Sequence, residues 1–151
     1  MTYSLDIIIE APISECTEKF ITLHNRKHWQ RGLLSIEHIS GTPRSVGSKM
    51  KMQYLLGKHQ MALMETITHK NLPHQWHATY TTDGMDTIQE NYFKTTPENY
   101  TQWTSINTFL PLNFKMRLMI YVMPRALKKQ SLQYMKDFKT FVEKGISVAD
   151  A

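Results

Sequence analysis

The chain has 151 residues, 41% of them hydrophobic. That is long enough to bury a real core, and it reads most simply as one domain over 1–151, with a core at about 3–144 and a loose tail at 146–151. Its one cysteine, Cys16, excludes an internal disulfide framework, and the opening MTYSLDIIIE lacks the basic and apolar regions of a secretory signal, so a cytoplasmic location is expected. Residues 1–112 carry ten Lys+Arg and ten Asp+Glu, whereas 113–144 carry eight Lys+Arg against Asp137 and Glu143, so the basic excess belongs to the C-terminal segment.

YSLDIIIE alternates, placing Leu5, Ile7 and Ile9 on one face of a half-buried strand. Pro12 ends it and suits the first turn of a helix, ISECTEKFI, whose apolar side includes Ile13, Cys16 and Phe20. A second short helix or turn spans Asn25–Gln30 and stops at Gly32.

A long β region follows. LLSIEHIS, GSKMKMQYLL, HQMALMETITH, HQWHATYTT, MDTIQENYFKTT and YTQWTSINTFL are separated by turn chemistry at GTPRSVG, Gly57-Lys58, NLPH, Asp83-Gly84 and PEN. Six consecutive strands at hairpin spacing predict an antiparallel meander. Inward faces are expected to carry Met52 and Tyr54, then Leu63 and Glu65, then Trp76 and Tyr80, then Trp103 and Asn107. The face of the Gln89–Phe93 strand stays open, because Ile88 and Tyr92 argue against Phe93.

The chain ends in a helix. Leu127, Ser131, Tyr134, Phe138 and Val142 follow helical spacing, and stepping back adds Met123, Ile120 and Met116 to the same line. Asn113 is a candidate N-cap, Gly145 a stop, and Pro124 is expected to kink or break the helix. The apolar run Leu118–Met123 is far shorter than the roughly 20 residues of a membrane span.

The order of these pieces resembles the START-like or helix-grip superfamily, which holds birch-pollen-type allergens, lipid-transfer domains and polyketide cyclase/dehydrase-type proteins. The likeness lies in I-E-A-P-x-x-x-C-x-x-x-F at the first strand–helix junction, Trp29, Val46-Gly47-Ser48, Glu65-Thr66-Ile67 before Leu72-Pro73, and Thr101-Gln102-Trp103-Thr104. It covers about residues 3–144 and departs at Thr17, where many relatives carry an aromatic or large apolar residue. It implies an α+β helix-grip fold: a curved, seven-stranded antiparallel sheet wrapped around a long C-terminal helix. It also implies a cavity between the two, without fixing a ligand.

The same cavity follows from packing, because a bent sheet cannot lie flush along a straight helix. Its expected lining is Met52, Tyr54, Leu63, Glu65, Trp76, Tyr80, Phe93 and Trp103 from the sheet, with Met116, Ile120, Met123 and Tyr134 from the helix. Large aromatics can instead fill the gap. An inward Glu65 is costly to ionise alone, so it orients a polar ligand group, acts as a general base with Tyr54 or Tyr80, or returns to water at a bulge. Asn91 or Gln89, with Asn107 and Ser105, can supply neutral hydrogen bonds.

The leading expectation is carriage of a lipid-, polyketide- or isoprenoid-like molecule, with Met116, Ile120 and Met123 as the yielding end of a lid beside Pro124. Alternatives are a cyclase- or dehydratase-like enzyme using Glu65, and docking of the basic C-terminal helix on an anionic membrane or on a protein. No phosphate loop or catalytic triad is present, and no cofactor is expected. His24 and His28, four apart, have no third ligand nearby, so no metal is expected either. Nucleic acid is not expected as a partner, because Tyr134, Phe138 and Phe141 fall on the buried stripe.

Overall fold

The computed structural model describes residues 1–150, the side chain of Asp150 excepted. The chain runs β1 (Thr2–Ile9), α1 (Ile13–Ile21), a single 3-10 turn, α2 (Arg26–Trp29), then β2 (Leu33–Ser40), β3 (Lys49–Leu56), β4 (His59–Asn71), β5 (Gln75–Thr82), β6 (Met85–Thr95) and β7 (Thr101–Pro111). Two helices follow, α3 (Phe114–Val122) and α4 (Pro124–Lys144). The strands form one antiparallel sheet in the order β1-β7-β6-β5-β4-β3-β2. The six-strand meander is therefore intact, and β1 closes against the last strand by pairing Leu5 with Ser105 and Ile9 with Thr101. Register shifts at Leu33/Ser35 and His38/Ser40 in the edge strand β2 and at Ile67/His69 in the interior strand β4 bend the sheet. This is the helix-grip arrangement.

Alternation explains which side chains face inward. On β7, Thr101, Trp103, Ser105, Asn107 and Phe109 are all buried, while the residues between them are not. On β6 the open question resolves toward Asn91 and Phe93, both buried, with Ile88 and Tyr92 only half-buried on the opposite face.

Phe20 of α1 anchors the core. Its ring centroid lies 5.3 Å from Trp29, 5.5 Å from Trp76, 5.3 Å from Phe93, 5.2 Å from Trp103 and 5.6 Å from Phe138. Four of these contacts are edge-to-face, the arrangement that the ring quadrupoles favour. Thr17 is buried on the same helix, and its hydroxyl is satisfied by donating to the Ile13 carbonyl at 2.9 Å. A polar residue is thus accommodated one turn from Phe20.

The C-terminal segment is two helices rather than one kinked helix. Asn113 caps α3, its Oδ1 accepting from the Met116 amide at 2.9 Å. Met123 then leaves helical geometry, and Pro124 starts α4 as its first residue. Proline has no N–H to donate and would clash with the carbonyl one turn back, so the break falls where the ring demands it. Gly145, at φ 67°, ends α4 in the left-handed region. Beyond it, the tail expected to be loose is tied down in part: Ser147 is buried with Oγ 2.8 Å from His28 Nδ1, and Val148–Asp150 form a 3-10 turn. Ala151 lies outside the described residues. Arg31 clamps the chain after α2 to α4, its Nε and Nη2 donating to the two Asp137 carboxylate oxygens at 2.6 and 3.0 Å. Among the described residues, no helix is long and apolar enough to cross a membrane.

Candidate ligand-binding cavity

The C-terminal half of α4 packs Met135, Phe138 and Val142 onto the core. Its N-terminal half meets the sheet at β1, where the Tyr3 hydroxyl donates to the Leu127 carbonyl at 3.2 Å and lies 2.5 Å from Ser131 Oγ, and stands away from the strands beyond. Between them lies a cavity of about 370 Å³. The floor is formed by Trp29 and Trp103, the upper face of the Phe20 cluster. The sheet contributes Tyr54, Leu63, Tyr80 and Thr87, and α4 contributes Leu127, Ser131 and Tyr134. Met116 and Met119 of α3 close the remaining side.

Of the twelve residues expected at the wall, the structure brings together Tyr54, Leu63, Tyr80, Trp103, Met116 and Tyr134. Phe93 and Trp76 instead fill the core around Phe20, as bulky aromatics do when the gap is narrow. Met123 is half exposed at the helix break, and Ile120 does not reach the cavity; the separation of α3 from α4 rotates both off the expected line. Met119, one residue before Ile120, takes the inward position.

Glu65 requires the largest correction. It is 1% exposed, yet it does not line the cavity. Its Oε2 accepts from Arg26 Nη1 at 2.5 Å, and Arg26 is itself 2% exposed. Met52 lies against the same guanidinium, with Sδ 3.6 Å from Nη1, and Trp76 faces it with its ring centroid 5.4 Å from Arg26 Cζ. The ion pair therefore explains the displacement of Met52, Glu65 and Trp76 together: all three wrap a buried cation. Burial, the largest single influence, lowers the Arg26 pKa, but the Glu65 carboxylate together with Tyr80 and Tyr54 outweighs it and the net shift is upward. Arg26 Nε and Glu65 Oε1 have no hydrogen-bond partner among the described residues, and a void of about 10 Å³ beside them has room for about one water. The signal for Arg26 was in the sequence. Arg26 and Trp29, three apart, share one helical face, and an inward carboxylate calls for a cation.

The cavity tyrosines are not poised to act as general bases. Burial pushes the Tyr54 phenol well up, and its hydroxyl donates to Gln30 Oε1 at 2.7 Å. Tyr80 is also raised, first by burial and then by the nearby Glu65 charge. Burial also raises Tyr134. A base must ionise near working pH, and these groups are moved away from it. Cys16 is buried with its thiol pKa raised, chiefly by burial, which makes it an unreactive core residue.

The polar part of the wall is a set of neutral groups on β6 and β7. Trp103 Nε1 donates to Asn91 Oδ1 at 2.9 Å, Asn91 Nδ2 to Gln89 Oε1 at 3.2 Å, Gln89 Nε2 to Asn107 Oδ1 at 3.0 Å, and Asn107 Nδ2 to Ser105 Oγ at 3.1 Å. Gln89, Ser105 and Asn107 face the cavity.

The outer surface of α3 is the counterpart of this wall. Phe114 is 76% exposed, Tyr121 83% and Val122 66%, and Leu118 is half exposed. Lys115, Arg117, Arg125, Lys128 and Lys129 are exposed on and beside it. Large apolar groups in water next to a cluster of cations are uncommon on a surface that contacts only solvent.

The sequence matches no family model and no curated protein. The structure resembles a protein from Chromobacterium violaceum at 16% identity and a TM-score of 0.76, covering 95% of this chain and 98% of that one. It resembles ginseng major latex-like protein 151 from Panax ginseng at 14% identity and a TM-score of 0.74, covering 93% and 95%. It also resembles Ara h 8.0201 at 12% identity and a TM-score of 0.74, covering 94% and 97%. At these identities the likeness establishes the helix-grip fold over nearly the whole chain.

Proposed function

We propose that this chain binds and carries a hydrophobic or amphipathic small molecule, of lipid, polyketide or isoprenoid type, between the sheet and helices α3 and α4. The observation that carries the reading is the cavity of about 370 Å³, whose lining contains no charged side chain. That volume falls within the range of about 300–1,000 Å³ typical of small-molecule sites, and the mixture of apolar wall and a few fixed polar groups is their usual make-up. A cytoplasmic carrier is consistent with a single buried thiol. Within the helix-grip superfamily the reading sides with lipid transport over polyketide cyclisation, because Glu65 is committed to Arg26 and the cavity tyrosines are held protonated.

Two measurements test it. Mass spectrometry of material released on denaturing the purified protein is expected to find an apolar small molecule. A neutral hydrophobic fluorophore should bind the wild type and lose affinity in Leu63→Trp, which fills the wall. A wild type that neither releases nor binds such molecules would rule the reading out.

The exposed face of α3 favours a second element: docking on an anionic membrane, where cargo is exchanged. Phe114, Leu118, Tyr121 and Val122 are suited to the acyl boundary, and each flanking Lys or Arg contributes about 1 kcal/mol near an anionic surface. The opposite side of the same helix, through Met116 and Met119, borders the cavity.

A further inference from the structure

We infer that the polar strip on β6 and β7 is a one-way hydrogen-bond chain that ends by offering a proton to the ligand. The occupant of the cavity is accordingly a neutral molecule bearing an acceptor oxygen, a ketone, ester, amide or quinone carbonyl. This rests on the carrier reading and specifies its cargo.

The direction of the chain is fixed at its start. An indole N–H can only donate. Trp103 Nε1 therefore forces Asn91 to present its carboxamide oxygen, which turns the Asn91 nitrogen toward Gln89. Gln89 must then accept through Oε1 and donate through Nε2, and Asn107 must accept from Gln89 and donate to Ser105. No carboxamide can flip without setting two donors or two acceptors against each other. The geometry that makes this possible is the sheet register: Gln89 pairs with Asn107, Asn91 with Ser105, and Phe93 with Trp103, so alternate side chains of two strands meet on one face.

The chain terminates at Ser105, which spends a lone pair on Asn107. No protein acceptor takes the Ser105 hydroxyl hydrogen among the described residues, and the residue is 2% exposed at the cavity wall. A buried hydroxyl left without an acceptor costs about 1–3 kcal/mol, so the site is completed by an acceptor brought from outside. The carboxamide nitrogens of Gln89 and Asn107, also at the wall, each keep a second N–H beyond the one used in the chain. Three donors of the strip at the wall thus remain unused, the Ser105 hydroxyl among them.

Charge narrows the class. No Lys, Arg or His lines the cavity, and the nearby Arg26 is committed to Glu65. A carboxylate or phosphate would be buried without a counter-ion, which is costly; a carbonyl gains the hydrogen bond without that cost.

The test uses a solvatochromic ketone, 6-propionyl-2-dimethylaminonaphthalene, whose emission shifts to the red when its carbonyl accepts a hydrogen bond. Its twin, 6-propyl-2-dimethylaminonaphthalene, lacks the carbonyl. Ser105→Ala is expected to weaken the ketone about five- to tenfold and move its bound emission to the blue, while the affinity of the twin is unchanged. Ser105→Thr, which keeps the hydroxyl, should restore the ketone's wild-type behaviour. If Ser105→Ala weakens both probes equally, or neither, the acceptor docking is wrong although the cavity still binds. If the wild type binds neither probe, the carrier reading falls with it. Should Ser105→Ala fail to fold, the wild type decides alone: bound ketone emitting as it does in dry hydrocarbon overturns the inference, and hydrogen-bonded emission upholds it.

Discussion

Arg26 and Glu65, from a four-residue helix and the middle of the longest strand, form an ion pair at 2.5 Å with neither side chain reaching solvent. Removing one partner leaves the other as an uncompensated buried charge. Glu65→Gln is therefore expected to cost about 3–5 kcal/mol of stability in urea unfolding. The double variant Arg26→Met/Glu65→Leu should recover most of that loss, because apolar replacement of both ions removes the desolvation penalty. Where Glu65→Gln remains folded, its affinity for a cavity probe should match wild type. An affinity that falls in step with stability would return Glu65 to the binding site.

Phe20 touches five aromatic rings, two of which, Trp29 and Trp103, are the cavity floor. Phe20→Ala should cost about 3–5 kcal/mol, at the upper end for core truncations. It should also change tryptophan emission, since all three tryptophans border the vacated volume. A loss below about 1 kcal/mol would mean that the cluster repacks freely.

His77 sets a pH dependence. Burial lowers its pKa below the ordinary value; His69, facing it from β4, acts the same way, while Glu90, its partner on β6, and a backbone hydrogen bond act in the opposite sense. Its Nδ1 already accepts from the Asn91 amide at 3.1 Å, a bond that protonation would break. The folded chain thus binds fewer protons than the unfolded chain through this window. Stability from His77 is complete above the unfolded value of about 6.5 and is lost as pH falls through the lower folded value. Urea midpoints at about pH 7.5 and about pH 5.5 should differ in wild type and differ less in His77→Gln. Equal differences in both proteins would place the proton uptake elsewhere.

The α3 surface predicts electrostatic adhesion. Vesicles containing anionic lipid should sediment the protein and neutral vesicles should not, with binding falling as salt rises. Phe114→Glu/Tyr121→Glu should abolish sedimentation without moving the urea midpoint, because both side chains are exposed. Salt-independent binding would contradict the mechanism.

Strand order and the inward set on β7 were legible because alternation at hairpin spacing has few other solutions. The two helix boundaries at Asn113 and Gly145 were legible because capping is local chemistry. The lining was only half legible. Trp76 and Phe93 share the inward face with Tyr80 and Trp103, and alternation cannot say how far along a strand the core ends and the cavity begins; that depends on where Phe20 inserts from α1. Glu65 was correctly turned inward, but its partner comes from a segment 39 residues away, a distance no periodicity reports. Ile120 and Met123 were misplaced for a sharper reason. A single helical wheel was carried across Pro124, and the break at Met123 resets the phase.

Helix α3 has no buried residue of its own, and its first turn rests on the Asn113 cap above Gly84, where an added methyl would lie 2.5 Å from the Asn113 amide nitrogen. Lifting this segment would disturb none of the stacked rings beneath. On the carrier reading proposed above, the molecule would separate durability from accessibility: one set of residues would decide whether it survives heat or denaturant, and another how often the doorway swings. Substitutions in α3 would then be expected to speed or slow exchange of the contents while the melting point stays where it is.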